Sequence, residues 1–180
     1  MVLPTPAGLV LTPGASADRD HSTLVAIDEA LDLPVLRLTL GTTSVPKAVR
    51  TISEAVGEFA STLGVETSEL VIGGRSFGGR SCSVAVGQGL EVGGLLLLSY
   101  PLHPPGKPEK MRVEHFPDIA VPTLFISGEK DPFGRPDEFE AHIGAIAGPT
   151  KMQWVPGAHS PKGNQEATVV DLVQAALDPH

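Results

Sequence analysis

Six short apolar runs bounded by glycine or proline alternate along this chain with longer segments of helical period, and that alternation is the strongest constraint on its fold. It is the signature of repeated βαβ units and a parallel sheet. Strands are predicted at about 8–12, 34–40, 69–73, 93–100, 121–127 and 150–155, and helices over 20–32, 45–64, 78–90, 135–148 and 164–177. In the second helix Val49, Ile52, Val56 and Phe59 recur at three- and four-residue spacing, as one buried face requires. Crossovers this short connect right-handedly and place helices on both faces of the sheet, which gives a three-layer α/β sandwich. With 180 residues and 41% hydrophobic composition, residues 1–180 can form one domain whose core needs no disulfide. The proline-rich stretch 101–120, "PLHPPGKPEKMRVEHFPDIA", fits no regular element and is expected to lie across the strand ends.

Charge and cysteine content narrow the partners. A formal net charge of −8 argues against nucleic acid or an anionic membrane, because either would repel most of the surface. The single cysteine, Cys82, has no internal partner, and no Cys/His spacing suits zinc, so a reducing compartment and no metal are expected. The N-terminal "MVLPTPAGLVLTPG" lacks a basic region, and no run approaches the ~18 apolar residues of a membrane span. Cytoplasmic is the expected location.

In a parallel α/β sheet the ligand crevice forms at the carboxyl ends of the strands, so residues just after strands are where chemistry is sought. After the third predicted strand, Gly74-Arg75-Ser76-Phe77-Gly78 matches G-x-S-x-G between a strand and a helix. In that context the motif forms a sharp turn that lifts the serine oxygen clear of the sheet edge. A bare match is weak in a chain with 20 glycines; the placement gives it weight. An activated serine needs a base and a group to orient it. "SGEKDPFG" after the fifth strand offers Asp131, with Glu129 as rival acid, and "VPGAHSP" after the sixth offers His159. Asp131 is preferred because Pro132 and its successors suit a loop that returns a carboxylate to the crevice. Of the six histidines only His159 follows a strand on that side; His21 opens a helix, His142 lies in one, His180 is terminal, and His103 and His115 fall in the proline-rich stretch. Acyl transfer also needs two donors for the developing oxyanion. The Phe77 N–H is one, and the loop "TPGASAD" offers Ala15 or Ser16 for the other.

Residues Gly74 to Ser81 also come one residue short of a phosphate-binding P-loop. Arg80 stands where that motif needs lysine, and the following strand ends in Ser99 and Tyr100, with no acid for magnesium. Arg75 and Arg80 flank the serine and could bind a substrate carboxylate or phosphate; pairing with a carboxylate of the protein is the plainer expectation. His103 could enter the crevice as a substrate contact, although a solvent-facing loop position is favoured. Trp154 and Cys82 read as core.

These residues resemble a known group, the small α/β-hydrolase-like proteins related to dienelactone hydrolases, and within it the branch that includes a testis-expressed protein and a nonspecific-lethal histone acetyltransferase complex subunit. The resemblance rests on "GGRSFGGR", "SYPLHPPGKPEKMRVEH" and "LFISGEKDPFG". The chain order serine, aspartate, histidine is that of α/β-hydrolases. The resemblance implies an α/β-hydrolase fold with a mostly parallel six-stranded sheet in the order 2-1-3-4-5-6, the N-terminal strands of the full fold missing and no cap domain. It implies Ser76, Asp131 and His159 as triad positions, while "TPGAS" departs from the His-Gly-Ala-Gly of relatives by placing Pro13 at the histidine. The expected function is a serine hydrolase of a small carboxylic ester or thioester, with no cofactor. The alternative is a catalytically silent binding or scaffolding module, since fold does not settle function. Whether the shortened N-terminal sheet edge pairs with a second subunit, as a homodimer, stays open at this point.

Overall fold

The computed structural model describes residues 3–177, so His180 lies outside the described residues. Its elements run β1 (Gly8–Thr12), α1 (Ser22–Ala30), β2 (Val35–Arg37), α2 (Val45–Leu63), β3 (Leu70–Arg75), α3 (Phe77–Gly87), β4 (Gly94–Leu98), β5 (Thr123–Gly128), α4 (Pro136–His142), β6 (Thr150–Val155) and α5 (Asn164–Leu177). The strands form one sheet in the order β2-β1-β3-β4-β5-β6, parallel at every pairing.

Successive strand residues point to opposite faces, and the two faces bury against different helices. Val10, Ile72, Leu95, Leu97 and Phe125 pack with Ile52 and Val56 of α2, Cys82 and Val86 of α3 and Phe139 of α4. Leu9, Leu11, Val71, Leu96, Leu98 and Ile126 face Leu24 and Ile27 of α1 and Val169 and Val173 of α5. The sheet is therefore covered on both sides, and each fully buried Leu or Ile contributes ~1.5–3 kcal/mol to holding the layers together. This is the three-layer fold that the alternation of elements implies.

Three boundaries differ from expectation. β2 spans three residues rather than seven; it is the edge strand, and after Leu38 N–H donates to Leu11 O at 2.9 Å the chain turns inward to bury Leu40. β4 stops at Leu98 because Ser99 takes φ 48°, which no strand continues. The helix expected over 135–148 ends at His142 and tightens into a 3-10 turn, Ile143–Ala145.

The 101–120 segment is irregular apart from a 3-10 turn, Phe116–Asp118, yet it is anchored. Leu102, Phe116 and Ile119 are fully buried. The Tyr100 hydroxyl donates to Arg112 O at 2.9 Å, and the Tyr100 ring meets Phe116 and Phe125 at 5.7 and 5.6 Å. His103 is a correction to the solvent-facing expectation: it is 3% exposed. One ring nitrogen is 2.7 Å from Pro104 O and the other 3.0 Å from the Glu138 carboxylate, so both are occupied by the protein rather than offered to a substrate.

Candidate active site

Ser76 joins β3 to α3 at φ 49° and ψ −117°, a conformation that L-residues avoid. β1 packs closely against this turn. A side chain at Gly74 (φ 153°) would strike Thr12, and one at Gly78 would strike Thr12 and the Pro13 carbonyl, so glycine at both positions lets β1 close against the turn. Ser76 N–H donates to Leu98 O at 2.9 Å, and Ser76 O accepts from Arg80 N–H at 2.9 Å. The hydroxyl is thereby held at the carboxyl edge of the sheet, half-buried.

The loops after β5 and β6 bring two side chains to it. His159 Nε2 is 2.8 Å from Ser76 Oγ, and His159 Nδ1 is 2.7 Å from Asp131 Oδ2. Asp131 is only 1% exposed, and its other oxygen accepts from Phe133 N–H at 2.8 Å. A buried carboxylate so held accepts Nδ1–H, leaving Nε2 to accept from the serine hydroxyl. The Phe133 ring stacks on the imidazole with centroids 4.1 Å apart. Glu129, the rival acid, is exposed and makes no bond to His159. The three residues separated by 55 and 28 positions in sequence thus stand in line.

Residues 6–178 match the family model described as an alpha/beta hydrolase domain. The chain belongs to the α/β-hydrolase family. Solved structures with the same fold include a dienelactone hydrolase from Anabaena variabilis, at 16% identity and TM-score 0.80 over 97% of this chain and 87% of that one. Est1E from Butyrivibrio proteoclasticus is 17% identical, with TM-score 0.75 over 94% and 86%. The RedJ thioesterase of the prodiginine biosynthetic pathway in Streptomyces coelicolor is 16% identical, with TM-score 0.70 over 97% and 93%.

In this α/β-hydrolase domain Arg75, beside the serine, is 7% exposed and turns toward the protein. Its Nη2 donates to His159 O and to Ser160 Oγ, both at 2.7 Å, and its Nη1 lies 3.4 Å from His21 Nε2. Arg75 therefore ties β3 to the histidine loop and pairs with a carbonyl and a hydroxyl, not the carboxylate expected. Burial draws its pKa below the ordinary value, opposed by the nearby charges of Asp131 and Glu166. Burial and Arg75 likewise lower the pKa of His21, which accepts Thr23 N–H as the N-cap of α1.

The Phe77 N–H opens α3 and donates to no acceptor among the described residues. The Ala15 N–H is likewise unengaged, in an exposed turn closed by Ala17 N–H to Gly14 O at 3.3 Å. Gly14 brings that turn against Ser76: a methyl group on it would sit 3.7 Å from Ser76 Cβ. Beside the turn a cleft of about 420 Å³ opens between the ends of β1 and β2, lined by Gly14, Ser16, Leu40, Thr42 and Thr43 among others. Cys82 is fully buried and its thiol is pushed up to about 12, which suits packing and not nucleophilic attack. Sequence reasoning did not find Phe133, Ser160 or His21. Their roles depend on loop folding, although Phe133 lies two residues from Asp131 in the loop already singled out. Among the described residues no helix is long and apolar enough to cross a membrane, and no group of three His, Cys, Asp or Glu could hold a metal ion.

Proposed function

We propose that this chain is a serine hydrolase that cleaves a small carboxylic ester or thioester through an acyl-enzyme. The observation that carries the reading is the continuous line from Ser76 Oγ to His159 Nε2 at 2.8 Å and from His159 Nδ1 to Asp131 at 2.7 Å, built on a serine in a strained turn. Ser76 Oγ attacks the substrate carbonyl while His159 takes its proton. The C–O or C–S bond to the leaving group then breaks, and the imidazolium returns the proton to it. Water, deprotonated by the same imidazole, releases the acid and restores Ser76. Asp131 fixes the imidazole tautomer and stabilises its positive form, and the N–H groups of Phe77 and Ala15 receive the oxyanion; loss of one such donor costs ~10²–10³ in rate.

Arg75 acts as a positioning residue, holding the peptide that carries the imidazole. Names among structures of the same fold, a dienelactone hydrolase and a thioesterase, are in keeping with acyl chemistry. The kinship with the testis-expressed branch and the treatment of residues 1–180 as one domain belong to the same proposal. The test is turnover of a panel of 4-nitrophenyl esters and short acyl thioesters. Wild-type protein should hydrolyse at least one, and Ser76→Ala should remove essentially all of that activity. Full activity retained in Ser76→Ala would overturn the assignment.

A further inference from the structure

Both ring nitrogens of His103 face acceptors that have no proton to give. Nδ1 lies 2.7 Å from Pro104 O, and Nε2 lies 3.0 Å from Glu138 Oε2. The same carboxylate oxygen accepts Arg135 N–H at 2.8 Å where α4 begins. Burial acts to raise the pKa of Glu138, but that N–H and His103 bring it below the ordinary value, so the group is a carboxylate near neutral pH. A neutral imidazole carries one N–H and one lone pair, and at one of its two contacts it would set that lone pair against an oxygen. Only the imidazolium donates at both. His103 and Glu138 therefore form an ion pair between the 101–120 segment and α4, with the imidazolium buried. Loss of either charge leaves the other without its partner in the interior.

Direct contacts join this pair to the catalytic line. The backbone N–H of His103 donates to Phe133 O at 3.2 Å. Phe133 in turn touches two of the three aligned residues: its N–H donates to Asp131 Oδ1 at 2.8 Å, and its ring stacks on His159 with centroids 4.1 Å apart. The next residue, Gly134, is wedged between the same two elements that the ion pair joins. A Cβ on it would lie 2.7 Å from the Phe139 ring of α4 and 3.2 Å from the Leu102 side chain. Loosening the pair thus loosens the backbone that holds Phe133, and with it a bond to Asp131 and the surface on which the imidazole rests. The charges around His103 are Glu138 of α4, with Arg135 three residues before it; Arg112 of its own segment; and, across Phe133, the Asp131–His159 pair. Burial and Arg112 act to lower the pKa of His103, but Pro104 O and Glu138 outweigh them and the net shift is upward. The contribution of the pair is therefore present below the ordinary imidazole value and is lost as pH rises through the raised one.

We propose that His103, held as an imidazolium between Pro104 O and Glu138, is a positioning residue for the Asp131–His159 pair and acts on it through Phe133. The proposal rests on the hydrolase reading for its effect on rate and on the contacts alone for its effect on the bond between His159 and Asp131. Nitrogen NMR of the histidine rings over a pH series reads the charge. At the ordinary midpoint of about 6.5, His103 should be protonated at both nitrogens, and in Glu138→Gln its own midpoint should fall by about 1 unit or more. Labelling of Ser76 by a fluorophosphonate reads the positioning. Its rate should rise as His159 loses a proton and then fall by ~10–100-fold as His103 loses its own, since a misplacement of about 1 Å can cost ~100-fold. In Glu138→Gln that fall should move to lower pH together with the His103 midpoint, and in His103→Gln the rate should be low throughout with no such fall. Where His103→Gln proves misfolded by circular dichroism, Glu138→Gln, whose side chain is nearer the surface, carries the test. The proton that His159 Nδ1 shares with Asp131 gives a far-downfield resonance in the same samples, and this should broaden as His103 deprotonates. If neither probe nor ester reacts, the hydrolase reading falls and that resonance alone decides the positioning. A labelling rate and a resonance that follow His159 and ignore the titration of His103, or a His103 that is neutral at its ordinary midpoint, overturn the proposal.

Discussion

Replacing Ser76 by glycine should leave the fold more stable than replacing it by alanine, although both variants lose the hydroxyl. At φ 49° and ψ −117° any residue with a Cβ is strained, at a cost of ~1–3 kcal/mol, and glycine is not. Glycine in turn has more backbone freedom to lose on folding, which offsets ~0.5–1 kcal/mol. The bond to His159 is absent from both variants and cancels. The net expectation is that Ser76→Gly exceeds Ser76→Ala by about 1 kcal/mol, with an upper end of ~2.5 kcal/mol. In a chain of this length that is a difference of ~2–4 °C in Tm per kcal/mol. Urea unfolding followed by circular dichroism reads it directly as a shift in midpoint at constant slope. A glycine variant less stable than the alanine variant by the offset alone would mean that the turn carries no strain, and the argument that the fold holds its serine against local preference would fail.

Arg75→Met should remove two charge-assisted hydrogen bonds to the histidine loop; each is worth ~1.5–3 kcal/mol before the relief of arginine desolvation is set against it. On the best ester found, kcat should fall by ~10–100-fold with KM little changed, and Arg75→Lys should recover part of it; an equal rise in KM with kcat intact would assign Arg75 to substrate binding instead. His115 supplies a pH test. Its folded pKa is depressed from 6.5 to about 4 by burial and Arg80, so below pH 6.5 the unfolded chain takes up a proton that the folded chain refuses, and stability falls as pH drops toward 4. In His115→Gln the decline over that window should be shallower, measured by urea midpoints; an unchanged slope would show that this imidazole is not held neutral.

Most of the architecture was legible because it follows from patterns local to each element. The apolar runs at β3, β4 and β5 and the helical spacing of α2 carry the layer order, and the crossover rule carries the rest. Boundaries failed where a single backbone angle or an edge position decides them, as at Ser99 and β2. The residues of the candidate site were legible for a related reason: G-x-S-x-G and the ends of the strands are local signals, and the order of strands puts them on one rim. What was not legible depends on how loops fold. The sequence around His103 gives no sign that the proline-rich segment is pulled into the core by Leu102 and Phe116. Nor could the pattern around Arg75 show that it turns back to the carbonyl of a residue 84 positions away. Arg80, whose Nε is buried without a hydrogen-bond partner, stands apart for the same reason, since an absent partner is visible only once every neighbour is placed.

The central claim is that Ser76 is an activated nucleophile, and reaction of the folded protein with a fluorophosphonate probe followed by mass spectrometry tests it most directly. The account predicts one adduct per chain, on Ser76, formed at least ~100-fold more slowly in His159→Ala. Folded wild-type protein that takes up no probe, or takes it up elsewhere than Ser76, would contradict it.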